Sequence, residues 1–343
     1  MFMKMEILEQ PKVLVDCREY NREIIIELAK KLRKSDFQNV IIAARGTSDH
    51  AAIYAKYCIE ILTGIPVSLA APSVVSIYKR NMDYSKSLVI GISQSGEAQD
   101  VNDILTHARE QNACTIAITN FENSPLAKTA EHHLFLNAGV EKSVAATKTF
   151  LTQLFLIIEL VAYWVEDAEL LEALQRLPEV LNKQINESGE IEKATERYKF
   201  IDKCVVLARG VLYPIALEAA LKIMETSNFF ARAFAISDFY HGPLALIEKN
   251  LPVLILSSND ATKKDAIDVA NRLQQMEADI LVSTSSDEIT GYANEIIRIP
   301  KVHPLIEPLH HVVSMQLFAY YLALQKGLNP DVPRNLKKVT ITR

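Results

Sequence analysis

Short apolar runs alternate with longer amphipathic stretches through most of the chain. In the first half, runs rich in Val, Ile, Leu and Thr predict strands at Val40–Ala44, Val67–Ala70, Leu88–Ile92, Thr115–Thr119 and His133–Leu136. In the second half they predict strands at Cys204–Ala208, Phe230–Ala235, Pro252–Leu256, Asp279–Ser283 and Glu295–Ile299. Helical periodicity fills most intervals. Strands alternating with helices in this way are the pattern of a parallel α/β sheet.

The halves also repeat each other. Ala44-Arg45-Gly46 returns 164 positions later as Ala208-Arg209-Gly210, and Ser93 returns as Ser257 at the same shift. The strand ending at Thr119 answers the one ending at Ser283, and Gln153-Leu154-Phe155 returns 163 positions on as Gln316-Leu317-Phe318. A period this long is a duplicated domain and not a solenoid repeat. The expected organisation is an N-terminal helical arm (1–35), a first α/β domain (36–170), a helical connector (171–197), a second α/β domain (198–330) and a C-terminal tail (331–343).

Composition narrows the function. The 343 residues are 49% hydrophobic and 23% charged, an ordinary globular balance with length for about two domains. A net charge of −5 without a long basic run argues against a nucleic-acid partner. Cys17, Cys58, Cys114 and Cys204 are far apart and outside any Cys/His cluster, so they read as free thiols in a reducing compartment. The segment Met1–Glu6 lacks the apolar stretch of a signal peptide. The most apolar segment, Phe150–Val165, is interrupted by Gln153 and Glu159 and reads as a core helix rather than a membrane span. A cytoplasmic protein is expected.

The candidate chemistry begins where the strand Leu88–Ile92 stops at Ser93-Gln94-Ser95-Gly96 and a helical pattern follows from Glu97. Hydroxyls, an amide and free backbone N–H groups at a helix N-terminus suit a phosphate; an ordinary capping serine gives the same pattern. No Walker lysine and no Gly-x-Gly-x-x-Gly accompany it, which favours a small phosphorylated molecule over a nucleotide. The corresponding Ser257-Ser258-Asn259-Asp260 lacks the glycine and adds an acid, so the first copy is expected to bind the anion. Thr47 and Ser48, after Arg45-Gly46, could cap a helix, touch a ligand, or both. The loop Gly139–Lys148 is rich in small residues that would let a ligand approach the backbone.

Glu218, Lys222 and Glu225 share one helix face at i, i+4 and i+7. Spacing alone favours an exposed ion pair; the alternative is a catalytic face with one carboxylate as proton shuttle. His241, fixed by Gly242-Pro243, is either a turn residue or an acid–base group. Lys337-Lys338 is either solvated or able to form an imine with a sugar carbonyl.

Together, Ser93-Gln94-Ser95-Gly96-Glu97, Val144-Ala145-Ala146-Thr147-Lys148, Ala216-Leu217-Glu218, Leu221-Lys222, His241–Ile247 and Pro333-Arg334-Asn335-Leu336 resemble the tandem sugar-isomerase (SIS) domains of glucosamine-6-phosphate synthase, over about residues 30 to 343. Ala44–Ala51 leans toward the type II glucosamine-6-phosphate deaminases. The resemblance implies two flavodoxin-like three-layer sandwiches, each with a five-stranded parallel sheet. It implies that Ser48, Ser93, Gln94 and Ser95 hold the sugar phosphate, with Thr47 beside them, and that Val144 meets sugar hydroxyls. Glu225 would move the proton between C1 and C2, Lys222 would assist near the sugar hydroxyls, and Lys338 would engage the open-chain carbonyl. His241 would open the ring from the neighbouring subunit of a homodimer. No metal or organic cofactor is implied. Ala98 stands where the synthase has a phosphate-binding threonine, Ala146 where it has serine and Lys337 where it has alanine, departures that bear on the substrate. The synthase's glutaminase domain has no counterpart, which points to the degradative direction. The rivals are a fructose-amino acid 6-phosphate deglycase and a non-catalytic sugar-phosphate sensor.

Overall fold

A computed structural model describes residues 1–338. The chain forms two compact units that interleave along the sequence. One comprises Glu9–Glu141 and Lys148–Gln175; the other comprises Met1–Leu8, Lys142–Thr147 and Arg176–Lys338.

The first unit holds strands β1 (Asn39–Ala43), β2 (Val67–Leu69), β3 (Ser87–Ile92), β4 (Cys114–Thr119) and β5 (His132–Phe135) in one parallel sheet of order β2-β1-β3-β4-β5. The second holds β6 (Lys203–Ala208), β7 (Phe230–Ala235), β8 (Pro252–Ser257), β9 (Asp279–Thr284) and β10 (Glu295–Arg298), also parallel, in the order β10-β9-β8-β6-β7. Counted within each copy, both orders are 2-1-3-4-5, so the sequence repeat is a repeat of topology. Every predicted strand is present within a residue or two. β3 and β8 are buried along their whole length, whereas the edge strands are open to solvent, β2 at Ser68 and Leu69 and β7 at Phe230 and Arg232. A strand covered on both faces needs an unbroken apolar run, which is why the inner strands read so clearly.

The helices are α1 (Phe2–Lys34), α2 (Thr47–Thr63), α3 (Pro72–Ser76), α4 (Gln99–Glu110), α5 (Pro125–Thr129), α6 (Lys148–Val165), α7 (Ala168–Asn186), α8 (Gly189–Glu196), α9 (Tyr213–Ser227), α10 (Ile236–Phe239), α11 (Lys263–Gln275) and α12 (Glu307–Gln325). α1 covers the stretch expected as an arm, but the unit boundary at Leu8/Glu9 falls inside it, and the boundary at Gln175/Arg176 falls inside α7, within the stretch expected as a connector. Among the described residues α6 alone is long and apolar enough to cross a membrane, and 89% of it is buried within the protein. Both polar interruptions of α6 have partners there. Arg18 Nε donates to Glu159 Oε1 at 2.8 Å, and Gln153 Nε2 donates to Ser48 Oγ at 3.0 Å. A buried carboxylate is tolerated because it is paired. The four cysteines are free thiols, with Cys17, Cys58 and Cys204 buried.

Candidate active site

In a 2-1-3-4-5 sheet the chain leaves β1 toward one side and resumes at β3 on the other, opening a crevice at the carboxyl ends of β1 and β3. These strands pair directly, Ala43 opposite Gly91. The segments that leave them, Arg45-Gly46 leading into Thr47 and Ser48 of α2, and Ser93–Ala98, are two of those singled out by sequence.

The second loop is held by its own bonds. The Gly96 N–H donates to Ser93 Oγ at 3.1 Å, and the Glu97 N–H donates to Ser95 Oγ at 3.3 Å. Each hydroxyl therefore accepts within the loop and keeps a proton to offer an anion. Gly96 has φ +67°, and a Cβ there would lie 2.2 Å from Ser124 Oγ, so both conformation and space require glycine. The helix begins at Gln99, not at Glu97, with Ala98 at its cap and no side-chain capping bond. Neither Thr47 nor Ser48 caps α2, whose cap is Gly46 at φ 56°. The capping explanation thus fails at both loops. Ser48 is buried and bonded to Gln153. Arg45 reaches across to the first turn of α4, where Nε lies 2.7 Å from Asp100 Oδ2. Sequence reasoning missed Asp100, one of three acids in an amphipathic helix.

The loop before α6 is braced within the second unit. The buried Glu6 carboxylate accepts from the Lys142 N–H, from the Ser143 N–H at 3.3 Å and from Ser143 Oγ. Val144 follows directly and is half-buried. Nothing local marks Glu6, because its partners lie more than 130 residues away.

On α9 the structure corrects the spacing argument. Glu218, Lys222 and Glu225 are not an exposed pair. Lys222 Nζ lies 3.2 Å from Glu218 Oε1 and 2.6 Å from Glu225 Oε2, with the three side chains only 1%, 3% and 18% exposed for Lys222, Glu218 and Glu225. Burial pushes the Glu225 carboxyl above its usual range; Lys222 and Lys338 pull it back, and Glu218 pushes it further up. Burial works against the Lys222 charge, yet the two carboxylates outweigh it and hold the ammonium firmly protonated. Glu218, which sequence reasoning placed on the face without a role, is the third member of the cluster. Lys338 is half-buried and acts electrostatically on Glu225, whereas Lys337 is exposed. Residues 339–343 of the expected C-terminal tail lie outside the described residues. His241 follows α10 beyond the edge strand β7; it is exposed, and its backbone N–H donates to the Asp238 carbonyl at 3.0 Å.

Among the described residues one group has metal-ligand chemistry. Donor atoms of Cys114, Glu131 and His132 lie within 4.8 Å of one another. Lys31 Nζ already bonds Glu131 and lies 3.0 Å from His132 Nε2, and burial keeps Cys114 a thiol, so an ammonium stands where a cation would. These residues do not fit a metal.

Two doubly wound parallel sheets, each with polar loops at its switch point, define a tandem α/β protein. The family model for the SIS domain matches residues 31–162 and 201–326, and the chain belongs to that family. It is 36% identical over 99% of its length to glutamine–fructose-6-phosphate aminotransferase (isomerizing) of Aquifex aeolicus, of which it covers 57%. The chain thus spans little more than half the length of the curated relatives it matches. A crystal structure of a candidate phosphosugar isomerase from Silicibacter pomeroyi superposes with TM-score 0.89 at 31% identity, covering 96% of this chain and all of that one. The glucosamine-6-phosphate deaminase of Thermotoga maritima shares the fold, with TM-score 0.76, 21% identity and full coverage of both chains.

Proposed function

We propose that this chain isomerises and deaminates an amino-sugar phosphate, glucosamine 6-phosphate and water giving fructose 6-phosphate and ammonia. The observation that carries this reading is the buried Glu218–Lys222–Glu225 cluster. It supplies a carboxylate whose proton affinity is raised by burial and set by the charges of Lys222, Glu218 and Lys338, as a proton shuttle requires. Ser93, Gln94, Ser95 and Ser48 hold the phosphate, with Thr47 and Ala98 at the margins of the same loops. His241 opens the sugar ring. Glu225 removes the proton from C2 of the open-chain amino aldehyde and returns it at C1, leaving an imine at C2. Water adds to that carbon and ammonia departs. Lys222 keeps Glu225 ionised for the first transfer, Lys338 meets the carbonyl end of the chain, and Val144 meets sugar hydroxyls. Lys337 adds a second positive charge beside Lys338.

Four free thiols suit a reducing, cytoplasmic setting. The exposed position of His241 suits delivery to the site of a second subunit in a homodimer. Mixing His241→Ala chains with Glu225→Gln chains then restores activity in verified heterodimers, and no recovery would place the site within one chain. The direct test is ammonia and fructose 6-phosphate release from glucosamine 6-phosphate, with galactosamine 6-phosphate and fructoselysine 6-phosphate in parallel. Silence on the amino sugars, with lysine and glucose 6-phosphate appearing from the third compound, would replace this reading by a deglycase.

A further inference from the structure

The two switch points are built from the same parts. In the first, Arg45 pairs with Asp100 on the helix after β3. In the second, Arg209 Nε lies 3.1 Å from Asp265 Oδ2 on the helix after β8, the same pair in the second copy. β6 and β8 pair as β1 and β3 do. The end of β8 and the loop after it, Ser257–Asp260, therefore stand where Ser93–Gly96 stands in the first copy, at the place where a doubly wound sheet receives its ligand.

That second place is already filled by a carboxylate. Glu307, the first residue of α12, is 1% exposed. Ser258 Oγ donates to its Oε2 at 2.7 Å, the Asn259 N–H donates to the same oxygen at 3.3 Å, and Ser285 Oγ donates to Oε1 at 2.5 Å. Two hydroxyls and a backbone N–H, from the loops after adjacent strands β8 and β9, converge on one anion. This donor set is what a phosphate receives from such loops. Just before that loop, at the end of β8, Ser257 Oγ, 1% exposed, has no partner among the described residues, a donor in excess of what the carboxylate uses. In the first copy, the position 163 residues before Glu307 is Val144, which carries no charge.

We propose that the second switch point is an anion site occupied by the chain's own Glu307, and that a phosphate or phosphate monoester is the class of ligand it takes once that carboxylate is removed. One side chain then separates the two copies into a ligand-binding crevice and a self-filled one, and the chain takes up one phosphorylated ligand instead of two. The second part of this inference rests on the reading of Ser93–Ser95 as the phosphate loop.

Calorimetric titration with inorganic phosphate and with fructose 6-phosphate tests it, using the full chain. The wild type binds one equivalent, and Ser93→Ala/Ser95→Ala removes it. Adding Glu307→Ala to that double variant restores one phosphate per chain, with half-saturation at least ten-fold below the double variant's own residual binding, and Ser258→Ala then abolishes it. A folded Glu307→Ala chain with no gain of phosphate in that background overturns the proposal. If Glu307→Ala fails to fold, Glu307→Gln carries the same titration together with a phosphate-dependent rise in Tm, and absence of both also overturns it. Unchanged binding in Ser93→Ala/Ser95→Ala would instead sink the phosphate-loop reading, whereas gain or loss of a site through Glu307 would still be read by comparison with the wild type.

Discussion

Replacing Lys222 by Met tests the site most directly. The ammonium is 1% exposed and lies 2.6 Å from Glu225 and 3.2 Å from Glu218. Methionine fills a similar volume, so the cavity term is small and the electrostatic term dominates. Breaking a buried ion pair by removing one partner costs about 3–5 kcal/mol, because the remaining charge is left uncompensated. Here two carboxylates remain face to face in a water-poor pocket, and they relieve the strain by taking up one proton between them. In the wild type, Glu225 already binds its proton more tightly when folded than when unfolded. A raised carboxyl favours the folded state below the unfolded value, and that contribution is lost as pH rises through the folded value. Loss of Lys222 raises the folded value further, so the variant's deficit is smallest at acid pH and grows upward from the ordinary carboxylate range. At about 1.4 kcal/mol per pH unit, 3–5 kcal/mol corresponds to an upward move of roughly two to four units in the pair's apparent titration. Two readouts follow. Urea unfolding at pH 5 and at pH 8 shows a larger deficit at pH 8. The acid limb of kcat against pH moves upward, so that kcat at pH 7 falls by at least ten-fold. Glu218→Gln is the control of opposite sign: Glu218 raises Glu225, and its removal moves the acid limb downward. An acid limb within half a unit of wild type in Lys222→Met, with a stability loss under about 1 kcal/mol, would refute the coupling.

Other residues give independent checks. Gly96→Ala places a Cβ 2.2 Å from Ser124 Oγ at φ +67°; loss of sugar-phosphate binding is expected, and Ser124→Gly relieves the clash but not the roughly 1–2 kcal/mol conformational cost, so calorimetry on the double variant shows partial recovery. Glu6→Ala leaves the Lys142 and Ser143 donors without their acceptor at about 1–3 kcal/mol, and KM rises more than kcat falls, because the loop carrying Val144 loses its brace. His310 and His311 are buried and held neutral, each lowered to about 3. The unfolded chain binds their protons below about pH 6.5 while the folded one does not, so stability falls as pH drops, by up to about 1.4 kcal/mol per unit for each histidine. His311→Gln, which can still bond Ser283, flattens that slope in urea titrations between pH 7 and pH 5.

The alternation of apolar runs determined ten strands, their parallel sense and the duplication, because a strand buried on both faces must be apolar throughout and a repeated domain repeats its landmarks. The chain also showed which loop carries the hydroxyls, since Ser93–Gly96 is local: the strand ends at Ile92 and the turn closes at Gly96. Tertiary structure alone decided how charged groups are used. Glu218, Lys222 and Glu225 have the spacing of a surface ion pair, and only packing makes them a buried cluster, because periodicity gives the face of a helix but not what covers it. Asp100 on Arg45, Glu6 on Ser143 and Glu307 on Ser258 are joined across about 50 to 137 positions, and no local pattern records such a pairing. Strand periodicity is a property of neighbouring residues, whereas the fate of a charge depends on the dielectric and partners that the rest of the fold brings to it.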